Sequence, residues 1–254
     1  MAPRKLPTTE ILDRLSQTYP DAKCALNHTT PFELLVATML SAQCTDARVN
    51  IVTGRIFPTY NTPEHFAALT PDQIGELIKD CGLWQSKAKN IHATSHILLQ
   101  QHGGEVPASR EELVKLPGVG RKTANVVLSN AFGVPAIAVD THVFRVANRI
   151  GLANATSVEE TEEQLMRRIP RAQWSPAHHW IIHHGRQICD ARKPKCSECP
   201  LADLCKYAQA ASVNADKAAK ADAKRLVKSG VSKAGARKAS STKASSTRAN
   251  AASD

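Results

Sequence analysis

Two residues, Lys122 and Asp140, and a run of four cysteines have the types and spacing to do chemistry. Lys122 directly follows a glycine-rich turn and opens a helical stretch. The positive end of a helix dipole and the neighbouring Arg121 both disfavour its ammonium form. A neutral amine is a nucleophile that forms a Schiff base with a carbonyl carbon. Asp140 lies eighteen positions later, in Ala138-Val139-Asp140-Thr141-His142-Val143-Phe144. Its carboxylate could stabilise developing positive charge and assist proton transfer. A structural reading stands beside this one. Asp140 suits a helix N-cap, with Val139 and Phe144 as the flanking hydrophobic staple. The two roles are compatible, because a capping carboxylate is held rigidly.

Cys189, Cys196, Cys199 and Cys205 follow the pattern C-x6-C-x2-C-x5-C. Four thiolates so closely spaced can converge on one metal centre. Structural zinc accepts four thiolates, but usually as two close pairs, and here only Cys196 and Cys199 form one. An iron–sulfur centre accepts the same donor set. Cys24, Cys44 and Cys81 lack such clustering and read as buried thiols.

These groups need elements to position them. In Leu116-Pro117-Gly118-Val119-Gly120-Arg121-Lys122, Pro117 stops a helix expected at 109–115. The two glycines permit a tight turn with positive φ and close backbone approach. Ala124, Val126, Val127, Leu128 and Ala131 then resume helical packing. Helix, glycine hairpin, helix is the result, and the amides beside the second helix favour an anion such as a phosphate. An ordinary turn between packed helices is the competing reading for the glycine pair alone.

Helical periodicity runs through the rest of the chain. Ile11, Leu12 and Leu15 make one stripe. Phe32, Leu34, Leu35, Val36, Met39 and Leu40 make a more buried one, opened by Thr30 as cap and Pro31 at the first position. Helices are expected at 45–57, 71–80, 84–101, 120–132, 141–150, 158–168 and 173–189. No pair of alternating strands joined by a hairpin turn is apparent, so the fold class is all-α.

The 254 residues carry a formal charge of +10, and 42% are hydrophobic. No apolar run is long enough for a membrane span, and the N-terminus has no secretory signal. From Ala208 onward there are ten Lys/Arg against three Asp, so most of the excess charge sits in an Ala/Lys/Ser/Thr-rich tail. That composition cannot bury enough apolar surface to order itself, although a short helix near 215–228 is compatible with it. A polyanionic partner fits the charge.

The string LPGVGRKTANVVL at 116–128 resembles the helix-hairpin-helix signature of base-excision glycosylases. With SAQCTDARVN at 41–50, GLWQSKAKNI at 82–91, AVDTHVFRVANRIGL at 138–152, WIIHHGRQIC ending at Cys189 and the four cysteines, the chain is similar to the endonuclease III family over about residues 6–207. The resemblance implies a two-lobed helical fold. One six-helix lobe spans roughly 25–135, and the N-terminal helix joins 136–207 in a second lobe with a C-terminal iron–sulfur loop. Residues 208–254 form a disordered basic tail.

The implied activity is removal of oxidised pyrimidines from duplex DNA, with lyase cleavage at abasic sites. Lys122 matches the nucleophile and Asp140 the catalytic carboxylate. Gln43 matches a residue inserted into the gap left by a flipped base, and Leu83 an apolar wedge on the opposite strand. Gly118, Val119 and Gly120 would approach the DNA backbone. His142 either faces the DNA or is satisfied within its helix. The four cysteines would hold a [4Fe–4S] cluster, folding a loop whose Arg192, Lys193 and Lys195 bind phosphates. The expected enzyme is a monomer of the bacterial cytoplasm, associated with the nucleoid through DNA. A non-catalytic hairpin protein, an adenine glycosylase or a thymine-mismatch glycosylase are the competing readings. The lysine and aspartate together weigh against all three.

Overall fold

The computed structural model describes residues 7–213, so the tail beyond 213 and the helix expected near 215–228 lie outside the described residues, whereas 208–213, expected as the start of a disordered tail, continue a helical stretch that begins at 206. The described residues contain α-helices and two single 3-10 turns, with no strand. The helices are α1 (Thr8–Thr18), α2 (Pro31–Leu40), α3 (Asp46–Ile56), α4 (Pro63–Ala67), α5 (Pro71–Ile78), α6 (Trp84–Gln101), α7 (Arg110–Leu113), α8 (Arg121–Ala131), α9 (Thr141–Ile150), α10 (Val158–Arg168) and α11 (Trp174–Gln187).

One local device starts three of them. Thr30, Thr62 and Thr70 each accept an amide from the third helical residue, and each is followed by proline at the first position. The proline lacks an N–H the helix could not have used, and its φ is already helical. At Thr70 the Gln73 side chain returns the bond, completing a capping box. Sequence periodicity misses α4 because five residues are too few to show a repeat, although Thr62-Pro63 carries the signal.

Two hydrophobic cores form. The first gathers α2 to α8 around α2, whose residues from Phe32 to Leu40 are all buried. A helix apolar on every side belongs at the centre of such a bundle. The second core joins α1, through Ile11, Leu12 and Leu15, to α9, α10, α11 and the cysteine segment. The chain passes between them after Ala136, which belongs to the first core, whereas Ile137 belongs to the second. A buried hydrogen bond fixes this crossing: Asn125 Nδ2 on α8 donates to the Ile137 carbonyl at 2.9 Å.

Helix α11 carries its histidines inward. His178 is 2% exposed, and burial holds its pKa well below the usual histidine value. Burial, with the charge of His183, lowers His179 to about 4, and its Nε2 lies 2.9 Å from Asn130 Oδ1. Both folded-state values fall below the unfolded value of about 6.5, so the unfolded chain binds more protons in acid. This contribution to stability is complete above about pH 6.5 and is lost as pH falls toward about 4. Urea midpoints measured from pH 7.5 to 5 should therefore decline, and His178→Gln should flatten the slope. A midpoint independent of pH over that interval would contradict the buried, neutral assignment.

Candidate active site and cysteine loop

The hairpin sits against α6. Gly118 has φ +77°, and a Cβ there would meet the Asn90 side chain at 2.8 Å, so both its conformation and its space require glycine. Thr94 Oγ1 donates to the Pro117 carbonyl at 3.0 Å. Gly120 differs from expectation. Its φ of −89° is open to any residue, it is the N-cap of α8, and nothing lies within 4 Å of its missing Cβ. Val119 is buried in the first core and its amide bonds to the Leu116 carbonyl, so it anchors the turn and offers no free donor. The start of α8 has no side-chain cap, which leaves its first-turn amides for an anion.

Lys122 is exposed in that first turn. The neighbouring charge expected from Arg121 is directed elsewhere. Arg121 makes a bidentate pair with buried Glu162, Nε to Oε2 at 2.8 Å and Nη2 to Oε1 at 3.1 Å. The hairpin is thereby tied to α10 instead.

Asp140 is the N-cap of α9. Its Oδ1 accepts the amides of His142 and Val143, both at 2.8 Å, so the cap leaves Oδ2 unused. Val139 and Phe144 both pack in the second core, as a staple would place them. Asn125 lies one turn beyond Lys122 and Ile137 three residues before Asp140, so their hydrogen bond sets the spacing of the two candidate groups. Lys122 and Asp140 line the same two cavities, one of about 90 Å³ and an open cleft of about 700 Å³. His178, His179 and Lys23 contribute to the smaller, and His142 to the larger. His142 also has its Nδ1 3.1 Å from Arg145 Nη2.

Gln43 and Leu83 share a property that sequence does not reveal. They are the only non-glycine residues with positive φ among those described, at 54° and 58°. Both are exposed, Leu83 by 58%. Left-handed backbone in a non-glycine residue costs of order 1 kcal/mol and persists where surrounding structure imposes it. Their loops also abut, since the Cβ position of Gly82 is 3.4 Å from the Gln43 carbonyl.

Asp46 and Arg186 were missed as site residues. Asp46 opens α3 and Arg186 ends α11, and they pair at 2.8 Å on the walls of both cavities. Both fall inside the similar segments 41–50 and WIIHHGRQIC, but an acid or an arginine on a helix reads in sequence as a solvated charge. A half-exposed pair of this kind contributes at most about 1 kcal/mol to stability, so its place in the cleft is the more informative feature.

The four C-terminal cysteines come together at the edge of the second core. Cys189 and Cys205 are buried, while Cys196 and Cys199 are half-buried. Burial raises the pKa of Cys199 and Cys205, and the negative charge of the other thiolates in the group raises it further. Four thiolates so placed repel one another unless a cationic centre is present, which fits a metal cluster. Among the described residues, no three His, Cys, Asp or Glu side chains are drawn up around a single ion. The arginines of α9 grip the segment. Arg149 donates to Cys189 Sγ at 3.5 Å and to the carbonyls of Asp190 and Ala191, and Arg145 donates to the Cys189 carbonyl at 3.2 Å. Asp190 Oδ1 accepts the amides of Arg192 and Lys193, so those two side chains and Lys195 project outward from a formed turn. Of the remaining thiols Cys81 is buried, while Cys24 and Cys44 are half-buried against the first core and line the smaller and the larger cavity respectively.

Comparison with known proteins agrees with this geometry. Residues 36–171 match the HhH-GPD superfamily of base excision DNA repair proteins, and residues 189–205 match the iron–sulfur binding domain of endonuclease III. Endonuclease III of Bacillus subtilis is 53% identical over 199 residues, covering 78% of this chain and 91% of that protein. The Escherichia coli K12 enzyme is 52% identical over 198 residues, covering 78% and 94%. A solved structure of a trapped endonuclease III–DNA covalent intermediate superposes with a TM-score of 0.77 at 49% identity, over 82% of this chain and all of that one. A thermostable thymine-DNA glycosylase, at 24% identity and a TM-score of 0.72, shares the fold. The protein is a DNA glycosylase and abasic-site lyase whose cofactor is a [4Fe–4S] cluster. The chain belongs to the endonuclease III family of helix-hairpin-helix base excision repair enzymes.

Proposed function

We propose that this enzyme removes oxidised pyrimidines from duplex DNA, and cuts the strand at the abasic site, through Lys122 and Asp140. One observation carries the reading: an exposed lysine from the first core and a capping carboxylate from the second line the same two cavities. The damaged nucleotide is flipped out of the stack, at a cost of a few kcal/mol that is smallest for weakened pairs. The Lys122 amine attacks C1′ and the bond from C1′ to the base nitrogen breaks, the base leaving with that electron pair. Asp140 Oδ2 faces the positive charge that develops on the sugar. Ring opening gives an imine between Nζ and C1′. Loss of a C2′ proton then lets the 3′ phosphate leave by β-elimination, and water hydrolyses the resulting conjugated imine, freeing the Lys122 amine and leaving a nick with an unsaturated aldehyde.

Duplex binding follows from the surroundings. The uncapped start of α8 and the amides of Gly118 and Gly120 receive a phosphate, with Val119 as the buried anchor. Gln43 and Leu83 enter the stack from adjoining loops, their imposed backbone holding both side chains outward. His142 borders the cleft, and Arg192, Lys193 and Lys195 meet phosphates further along. Cys189, Cys196, Cys199 and Cys205 would hold the [4Fe–4S] cluster, which when bound would cross-link the chain after α11 to the segment 196–205. The two cores are read as the lobes at 25–135 and at 136–207 plus the N-terminal helix. The enzyme works as a monomer on DNA in the bacterial cytoplasm; no described helix is long and apolar enough to cross a membrane.

Incubation with a thymine-glycol or abasic duplex and sodium borohydride should give a covalent protein–DNA complex, and Lys122→Gln should give none. An undiminished complex with Lys122→Gln would remove the lysine from the mechanism. Asp140→Asn should slow single-turnover base release by about 10²- to 10⁴-fold. Its melting temperature should stay nearly unchanged, because asparagine caps as well as aspartate. Asp140→Ala should lose, in addition, about 1 kcal/mol of stability. If Asp140→Asn keeps both the stability and the rate of the wild type while Asp140→Ala loses stability, the carboxylate acts as a cap alone. Cys199→Ser should lose iron by elemental analysis together with visible absorbance, whereas retention of a full iron complement would take that thiol out of the ligand set.

A further inference from the structure

The loops carrying Gln43 and Leu83 also carry a second pair of thiols, unrelated to the C-terminal cysteines. Cys44 follows Gln43, and Cys81 precedes Gly82-Leu83. Cys44 packs against the core that holds Cys81, and the charge of one thiol acts on the other, so two residues far apart in the chain are brought side by side. The backbones on either side of that contact already meet, with the Gly82 Cβ position 3.4 Å from the Gln43 carbonyl. Cys44 is half-buried on the wall of the larger cleft, where a small oxidant can reach it. Cys81 is 1% exposed within the first core. Buried Lys87 stands beside both; its Nζ donates to the Leu40 carbonyl at 2.8 Å, and its charge favours thiolate at Cys81.

We infer that Cys44 and Cys81 form an oxidisable dithiol whose disulfide staples the two DNA-inserting loops together. With a peroxide as oxidant, the Cys44 thiolate attacks one oxygen, the O–O bond breaks, and hydroxide leaves to become water. The Cys44 sulfenic acid is then attacked by the Cys81 sulfur, the S–O bond breaks, and a second water forms from the departing hydroxide and the Cys81 proton. Two thiols and one peroxide thus yield one disulfide and two waters. Accessibility makes Cys44 the attacking thiol. Burial and the neighbouring Cys44 charge push Cys81 up to about 11, which suits the partner that waits as a thiol. Intracellular disulfides of this kind are transient and redox-sensing rather than structural. The staple would hold Gln43 and Leu83 at one separation, whereas insertion around a flipped base requires each loop to adjust. This consequence rests on the insertion reading, but the disulfide itself does not.

The test uses the cluster-loaded enzyme without DNA, treated with diamide, a diazene that takes up both thiol hydrogens and leaves the iron–sulfur absorbance as an internal control. Peptide mapping after alkylation should show one peptide linking Cys44 to Cys81, reversed by dithiothreitol and absent from Cys81→Ala and Cys44→Ser. Oxidised wild type should release thymine glycol from duplex several-fold more slowly than when reduced, while each variant shows the same rate with and without diamide. Absence of the 44–81 peptide while the visible absorbance is intact would overturn the pair. A linked peptide with an unchanged rate would leave the disulfide standing and overturn its effect on the inserting loops.

Discussion

A single buried hydrogen bond, from Asn125 Nδ2 to the Ile137 carbonyl, sets the distance on which the site depends. Asn125 is fully buried on α8, one turn past Lys122, and Ile137 is the first residue of the chain to enter the second core. That bond pins the segment 133–140 to α8, beside the Arg121–Glu162, His179–Asn130 and Arg186–Asp46 contacts that also join the two cores. A buried amide is costly to leave unpaired, so the crossing has one strongly preferred register.

Helix α9 then acts in two directions. Its N-terminus is closed by Asp140 on the cleft side. Its outward arginines, Arg145 and Arg149, bind carbonyls and a sulfur of the cysteine segment. The cysteine segment is thus braced by the helix whose cap lines the cleft shared with Lys122.

Charge is arranged with similar economy. Arg121, next to Lys122, is paired with Glu162, which also lies 3.9 Å from Arg110. The carboxylate is buried, so removing it would leave guanidinium groups without a partner. The net result is an isolated lysine amine at a helix start rather than a doubly basic one. Asp46 and Arg186 place a second, self-cancelling pair across the same cleft. The positive φ of Gln43 and Leu83 shows where strain has been accepted, at the two loops that meet beside it.

Much of this was legible in the residues. The all-helical class, most helix positions, the Thr-Pro starts, the hairpin and the cap at Asp140 follow from periodicity and local backbone chemistry, which act over a few residues. The four-cysteine spacing and Lys122 likewise declare a chemistry, because their meaning is carried by near neighbours in the chain. Other features depended on contacts between distant segments. Sequence could not tell that Arg121 turns to Glu162, that Val119 spends its amide inside the turn, or that Gly120 needs no special φ. Nor could it place Asp46 on Arg186, or Cys44 on Cys81. Those are decided by how two hydrophobic cores close against each other, and closure brings together groups between which no local signal runs.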